Sequence, residues 1–256
     1  MFFMIVWLAS YPQSGNDFVR SLLSSYIFSK DGNFDSMLLE NIDLFPKNSL
    51  FEQLGVNTEN EDEMYKNYIN SQKILNKKDS IMFLKTHSCF VNTEKFKFTD
   101  RHNTLGVVYI VRDPRNIIPP HSQDFMITEE QSLKYLLSET FLGKESQSHC
   151  TTYLGSWKNH FNSWKIFRRF NKYLLVRYED LINEKEKTFL NILKFIAHLG
   201  RVNFTLDEKK FKNTLKTTEI TKMSENEFKK FNKISKKTKE SLEKELESEM
   251  KELNYL

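Results

Sequence analysis

Four stretches of the chain are apolar almost without interruption: residues 2–9, 80–85, 105–111 and 173–176. A half-buried strand alternates polar and apolar positions, whereas a strand covered on both faces reads as a continuous apolar run. The four runs therefore predict buried parallel strands. Between them the apolar positions recur at steps of three and four. Residues 17–28 place Phe18, Leu22, Leu23, Tyr26 and Ile27 on one face, and residues 153–170 do the same with Tyr153, Trp157, Phe161, Trp164 and Phe167. Both patterns predict amphipathic helices facing a core, and the aromatic stripe of the second reads as packing, not as a cofactor box. Further helices are predicted over 61–75, polar and surface-like, over 129–141 behind a Thr128 cap, and over 183–199 and 237–253. Strands alternating with helices mean βαβ units, hence an α/β fold in three layers: a central parallel β-sheet flanked by helices on both faces. There is no internal repeat, and one domain over residues 1–256 is expected. Residues 207–239, rich in Lys, Thr, Asn and Glu, are the least regular and are expected to form a mobile surface segment leading into the last helix.

Composition narrows the picture only a little. With 38 Lys+Arg against 34 Asp+Glu, a net charge of +4 and 39% hydrophobic residues in 256, the chain is neither disordered nor fibrous. The charge is too evenly balanced for a broad nucleic-acid face, which leaves a local basic pocket for a small anion. Cys89 and Cys150 are too few for a disulfide framework or a Cys-based metal site, and reduced thiols in a cytoplasmic protein are the simpler reading. No His, Asp or Glu cluster has metal-ligand spacing, so no metal is expected. Residues 1–10 have the look of a signal-peptide core, but no Lys or Arg precedes the run and the run is short, so it is assigned to the first strand. No later stretch approaches the roughly 20 apolar residues of a membrane span, and no membrane partner is expected.

In an open parallel sheet, ligands bind outside the carboxyl ends of the strands, and each predicted strand exits through polar residues. After the first comes Ser10-Tyr11-Pro12-Gln13-Ser14-Gly15-Asn16-Asp17-Phe18, a tight loop running straight into a helix. Backbone N–H groups and the positive end of a helix dipole there make an anion site. The loop is not a Walker A loop, because the second Gly and the Lys-Ser/Thr pair are missing. The second strand exits through Lys85-Thr86-His87, a cation and an imidazole suited to charge stabilisation and proton transfer. The third exits through Val111-Arg112-Asp113-Pro114-Arg115, where Arg112 can grip a phosphate bidentately and Pro114 suits a first helical turn. The fourth ends in Arg177-Tyr178-Glu179-Asp180. Each cluster is weak alone; four at four consecutive strand exits are hard to dismiss.

Together these motifs resemble the sulfotransferases that use 3′-phosphoadenosine 5′-phosphosulfate (PAPS), most closely their compact bacterial members, from Trp7 to about Phe195 and again at residues 251–256. The resemblance implies a P-loop-like fold and PAPS as sulfate donor, with 3′-phosphoadenosine 5′-phosphate (PAP) as product. It makes His87 the catalytic base, with Lys85 and Gln13 stabilising charge on the transferring and leaving oxygens. It gives the 5′-phosphosulfate to the loop Gln13, Ser14, Gly15, Asn16 and Asp17, the adenine to Phe18 and Tyr178, and the 3′-phosphate to Arg112. Phe211 is a speculative second adenine face. Gly155-Ser156-Trp157 also matches the family pattern.

The departures matter as much. Gln13 stands where the family has a Lys, and removing a donor or cation of that type costs about 2.7–4 kcal/mol of barrier. Asp17 replaces a Thr hydroxyl and brings negative charge to the phosphate loop. Pro120 stands eight residues after Arg112 where the family has a Ser donor, with Ser122 a substitute two residues on. The family's late Arg-Lys-Gly loop has no clear copy, residues 229–233 being the one basic candidate. Three readings stay open: an active sulfotransferase; a sulfotransferase-fold binding module that has lost catalysis; and a nucleotide-dependent phosphoryl transferase, against which counts the lack of a Walker Lys or Mg²⁺-binding Ser/Thr after Gly15. The acceptor pocket is expected from residues 34–56 and 126–150, whose Phe, Leu and Met content hints at a partly apolar lining, and the acceptor is expected to be a small molecule or a carbohydrate.

Overall fold

The computed structural model describes residues 5–75, 81–91, 96–143, 147–218 and 234–256. Its centre is a five-stranded sheet of β1 (Ile5–Ser10), β2 (Ile42–Leu44), β3 (Met82–Thr86), β4 (Thr104–Val111) and β7 (Tyr173–Arg177), in the order β2-β3-β1-β4-β7. Every pairing in it is parallel. A small antiparallel pair, β5 (Leu142–Gly143) and β6 (Thr152–Tyr153), stands apart. The helices are α1 (Asn16–Phe28), α2 (Asn48–Glu52), α3 (Glu61–Lys66), α4 (Tyr68–Leu75), α5 (Pro114–Asp124), α6 (Glu129–Leu137), α7 (Trp157–Trp164), α8 (Tyr178–Asn183), α9 (Lys185–Gly200), α10 (Glu208–Thr217), α11 (Lys236–Glu245) and α12 (Glu247–Glu252).

The continuous apolar runs make the three layers. Successive residues of a strand face opposite ways, so β1 sends Ile5, Trp7 and Ala9 into one core and Val6 and Leu8 into another. On the first face Trp7 meets the rings of Phe98 at 5.1 Å, Phe45 at 5.4 Å and Trp164 at 6.4 Å. Such ring pairs add about 0.5–1.5 kcal/mol each beyond their buried area. Ile117 and Ile118 of α5 and Trp157 and Phe161 of α7 complete that core. On the second face α1 contributes Val19, Leu22 and Leu23, and α9 contributes Phe189, Ile192 and Leu193. β1 is central, and the chain crosses over it between β3 and β4, so the crevice at the carboxyl ends of these three strands is where a ligand of this fold belongs.

Tertiary context corrects several boundaries. Residues 207–239 are not one irregular segment: Asp207 caps α10 through its side chain, and α10 buries Phe211 and Thr214. Residues 219–233 lie outside the described residues. The predicted helix over 61–75 breaks at Asn67 and is not purely a surface element, since Met64, Tyr68, Ser71 and Gln72 are buried. Gln72 is held there because it donates to the Phe98 carbonyl (2.5 Å) and accepts from Thr99 Oγ1 (2.6 Å). The helix over 153–170 starts only at Trp157, because Gly155 takes a left-handed φ of 62° and Ser156 caps the next turn; past Trp164 it tightens to a 3₁₀ turn. The capping box on α6 forms as its sequence dictates, through Thr128 and Gln131. Cys89 and Cys150 are buried thiols not bonded to each other. Among the described residues no helix is long and apolar enough to cross a membrane, and no group of His, Cys, Asp or Glu could hold a metal.

Candidate active site

Parallel register brings the strand exits together. Ser10 ends β1 beside Ile110 of β4, Thr86 ends β3 beside Ala9 of β1, and Val111 ends β4 beside Arg177 of β7. The polar residues that follow therefore share one edge of the sheet.

The first loop turns sharply into α1. Gln13 and Gly15 both have positive φ, 63° and 89°. At Gly15 the chain also allows no side chain, since a Cβ would lie 2.3 Å from Cδ2 of Tyr178. The first residue of α8 thus lies directly on the loop, and Arg112 closes the arrangement from the other side. Its guanidinium sits 4.4 Å above the Tyr178 ring and donates to the Gln13 carbonyl at 2.9 Å. Arg112 is only 5% exposed. Burial pulls its pKa down, against the opposing pull of Tyr178, Glu179 and Asp113, but an Arg stays cationic at any physiological pH.

Three loop side chains do not face a ligand in the simple way their order suggests. Asn16 is turned inward, its amide donating to the Leu8 carbonyl (2.9 Å) and to Ser10 Oγ (3.1 Å). Gln13 reaches sideways, donating to Asp124 Oδ2 at the end of α5 (2.5 Å). Asp17 closes onto Lys85, whose Nζ donates to both carboxylate oxygens at 3.0 and 3.1 Å, with Arg20 at 3.6 Å. Burial alone would raise the Asp17 pKa, but the Lys85 ammonium, helped by His87 and Arg20, holds its carboxyl below the usual carboxylate range. Ser14 is different: it is 1% exposed, and its Oγ has no hydrogen-bond partner among the described residues. A buried polar atom without a partner is costly, and one in a loop opening a helix is placed to meet an anion.

His87 lies at the exit of β3. Its Nδ1 is 2.8 Å from the Ser10 carbonyl and 3.2 Å from Ser10 Oγ. A carbonyl only accepts, so Nδ1 carries the proton and Nε2 is the basic nitrogen of the neutral ring. Ser10 thereby links Asn16 of the loop to the imidazole.

Along α5, Pro120 lies within the helix and offers no N–H. Ser122 Oγ is shielded from solvent and, like Ser14 Oγ, has no partner among the described residues. Phe18 is partly buried against the α1 face of the sheet, with Lys185 Nζ 6.0 Å from its ring centre. Phe211 is no open adenine face: it is 2% exposed and stacks on Phe189 at 5.6 Å inside the core. Residues 229–233 lie outside the described residues.

Sequence reasoning missed the groups that brace this edge. Glu179 accepts from the Asp113 N–H (3.0 Å) and from the Tyr255 hydroxyl (2.8 Å). Arg115 binds Asp113, Glu243 and the Tyr255 carbonyl, which ties α5 to the chain's last residues. Its place in the 112–115 motif is therefore structural. Asp124, which accepts from Gln13, and His160, beside the His87 carbonyl, are likewise marked by no local motif.

An α/β sheet of this order, with a tight loop feeding its first helix and an imidazole, a lysine and a buried arginine at the neighbouring strand exits, has the P-loop-like architecture of nucleotide-dependent group transferases. The family comparison is more specific. The sulfotransferase domain matches residues 5–252, and the chain belongs to that family. Among solved structures, mouse sulfotransferase SULT7A1 complexed with PAP is similar over 97% of this chain and 85% of its own, with a TM-score of 0.59 at 16% identity. Retinol dehydratase is similar as well. Its complex with retinol and PAP gives a TM-score of 0.54 at 14% identity, over 96% of this chain and 81% of that one. Its complex with androsterone and inactive cofactor PAP gives 0.52 at 13%, over 96% and 80%. A search of curated proteins gives no match.

Proposed function

We propose that this chain, one sulfotransferase domain over residues 1–256, moves a sulfuryl group from PAPS to a hydroxyl or amine of a small-molecule or carbohydrate acceptor. The observation that carries the reading is the 2.8 Å contact of His87 Nδ1 with the Ser10 carbonyl, at the strand exit next to the first loop, which assigns the proton to Nδ1 and the basic lone pair to Nε2. PAP bound in the structural neighbours, and retinol and androsterone in two of them, support the donor class and a small-molecule acceptor.

The residues fit such a donor. Ser14 Oγ and the backbone N–H groups opening α1 would take the 5′-phosphosulfate, and Arg112 with Ser122 Oγ the 3′-phosphate. Phe18 and Tyr178 offer rings for the base. As the acceptor oxygen or nitrogen forms its bond to sulfur and the bridging S–O bond breaks, His87 Nε2 takes the acceptor's proton. Lys85, once released from Asp17, stabilises the charge gathering on the departing phosphate. No metal enters this scheme.

A second reading, a fold that binds but no longer catalyses, is favoured by the Asp17–Lys85 pair, which engages the one lysine of the reaction centre among the described residues. Calorimetric titration with PAP, with ADP as control, decides between a working donor site and a dismantled one. The expected result is micromolar binding that prefers PAP at least tenfold; no binding at millimolar PAP overturns the proposal.

Gln13 gives a further test. Because Asp124 already takes the Gln13 amide, a lysine there would form an ion pair with Asp124, and exposed pairs hold about 0.2–1 kcal/mol. Gln13→Lys alone is therefore expected to raise PAP release from PAPS in the presence of acceptor, but to fall short of the double variant by up to about fivefold. Gln13→Lys with Asp124→Asn is expected to raise it by about tenfold or more, toward the range of a preorganised charge donor. Equal rates for the single and double variants would show that Asp124 does not hold the side chain of residue 13.

A further inference from the structure

We propose that His160 is a positioning residue for His87, acting as the middle of a directed hydrogen-bond chain that runs from Tyr109 through His160 to the His87 backbone. The kinetic consequence rests on the sulfotransferase reading; the geometry does not.

His160 lies on α7 and Tyr109 on β4; their exposures are 0% and 1%. His160 Nε2 is 3.1 Å from the His87 carbonyl, and His160 Nδ1 is 2.8 Å from the Tyr109 hydroxyl. The direction of both bonds follows from what each partner can do. The His87 carbonyl only accepts, so His160 Nε2 carries a proton. The other ring nitrogen then holds a lone pair and accepts from the Tyr109 hydroxyl. Burial pulls the His160 pKa down to about 3, and burial pushes the Tyr109 phenol well above its ordinary value. The ring therefore stays neutral and the phenol stays a donor throughout the working pH range. At the next backbone position, Trp164 Nε1 donates to the Ser88 carbonyl at 3.1 Å, so a second side chain of α7 pins the same stretch of chain.

The consequence falls on the base. His87 is held at two points: its ring by the Ser10 carbonyl at the end of β1, and its backbone by His160 from α7. With both in place, its ring plane and the aim of Nε2 are fixed by β1 and α7 instead of by the loop that follows β3. Fixing a reacting group within a fraction of an ångström matters, since a misplacement of about 1 Å can cost about 10²-fold in rate. An apolar residue at position 160 would fill the same core but leave the His87 carbonyl without this donor. A glutamine there can still donate through its amide.

The test uses three variants of the full chain, His160→Leu, His160→Gln and Tyr109→Phe, read by turnover, by PAP calorimetry and by the ¹⁵N signals of the His87 ring. For His160→Leu the expected result is a kcat about 10–100-fold lower, with KM for PAPS and the Kd of PAP changed by less than about threefold. The His87 ring should move from a single Nδ1–H tautomer to a mixture. His160→Gln should recover most of kcat. Tyr109→Phe, which removes only one hydroxyl, should give a smaller fall of kcat in the same direction, with PAP binding unchanged, and it keeps the proposal testable if His160→Leu does not fold. Unchanged kcat and His87 signals in either folded variant overturn the proposal, as does a loss of PAP binding in step with kcat, which marks a purely structural role. If the wild-type chain transfers no sulfuryl group, the sulfotransferase reading fails alone. The His87 tautomer in the variants still decides the role of His160.

Discussion

His87→Ala is expected to lower turnover by about 10²–10⁴-fold, the range that a positioned general base supplies, while the Kd of PAP stays within about threefold of wild type. The separation follows from the site. The groups proposed to hold PAP are Ser14, Phe18, Arg112, Ser122 and Tyr178, on the first loop, on α1, at the exit of β4, on α5 and on α8. The imidazole is tied instead to Ser10, through the carbonyl and the hydroxyl at the end of β1. An alanine removes the imidazole, with Asn16 still holding Ser10 Oγ. Steady-state kinetics and calorimetry on the same preparation check it. Turnover within threefold of wild type would remove His87 as the base, and a parallel loss of PAP binding would mean that the ring supports the loop instead of the chemistry.

The sheet was legible because both its faces are covered. Residues 105–111 and 173–176 are apolar on every or nearly every position, and they fold as β4 and β7 with only a residue or two added. β2 was not legible: it is three residues long, Asp43 occupies its middle, and it is defined by pairing with β3, which no local pattern encodes. The hidden α10 is a different case. Its signal was present, with a capping Asp207 followed by Phe211 and Thr214 three apart, but the surrounding Lys and Asn masked it. Tertiary contacts decide it, since Thr214 Oγ1 donates to the Gly32 carbonyl and Phe211 stacks on Phe189.

The site shows the same division. Residue types at strand exits are written in order along the chain, so His87, Lys85, Arg112 and Tyr178 could be singled out one motif at a time. Which way a side chain turns depends on partners far away in sequence. Gln13 goes to Asp124, 111 residues on, and Lys85 to Asp17, 68 residues back. His160, 73 residues past His87, sits in what reads as an aromatic packing stripe, and only the fold shows its ring between Tyr109 and the His87 carbonyl. Motifs mark candidate residues; the fold sets which partners their side chains meet.

Asp17 is the sharpest such case, and Asp17→Thr is expected to tighten PAP binding by about five- to tenfold. The carboxylate stands in the first turn of α1, where N–H groups and the helix dipole favour an anion. It occupies Lys85 through both oxygens and also meets Arg20. A bound phosphate would compete with it for the lysine and for the helix start. Like charges about 4 Å apart repel by about 1 kcal/mol in water and about 4 kcal/mol near a protein surface. With 69% of the Asp17 side chain exposed, the lower part of that range applies, and about 1.4 kcal/mol is tenfold in affinity. Acid does not relieve the conflict at working pH. The depressed pKa means that the folded state keeps this carboxylate ionised where an unfolded chain would begin to protonate it, so its pairing favours folding above about pH 4 and is lost only as pH falls below that. Wild-type PAP affinity should therefore show no Asp17-dependent step between about pH 5 and 8, and the threonine variant should bind more tightly across that whole window at some cost in thermal stability, since it takes this carboxylate from the buried Lys85 ammonium. Calorimetry of both proteins at two pH values measures this. Unchanged or weaker binding in the variant would place Asp17 outside the field of the donor's phosphates. Tighter binding together with faster turnover would show that the lysine it holds is the one the reaction needs.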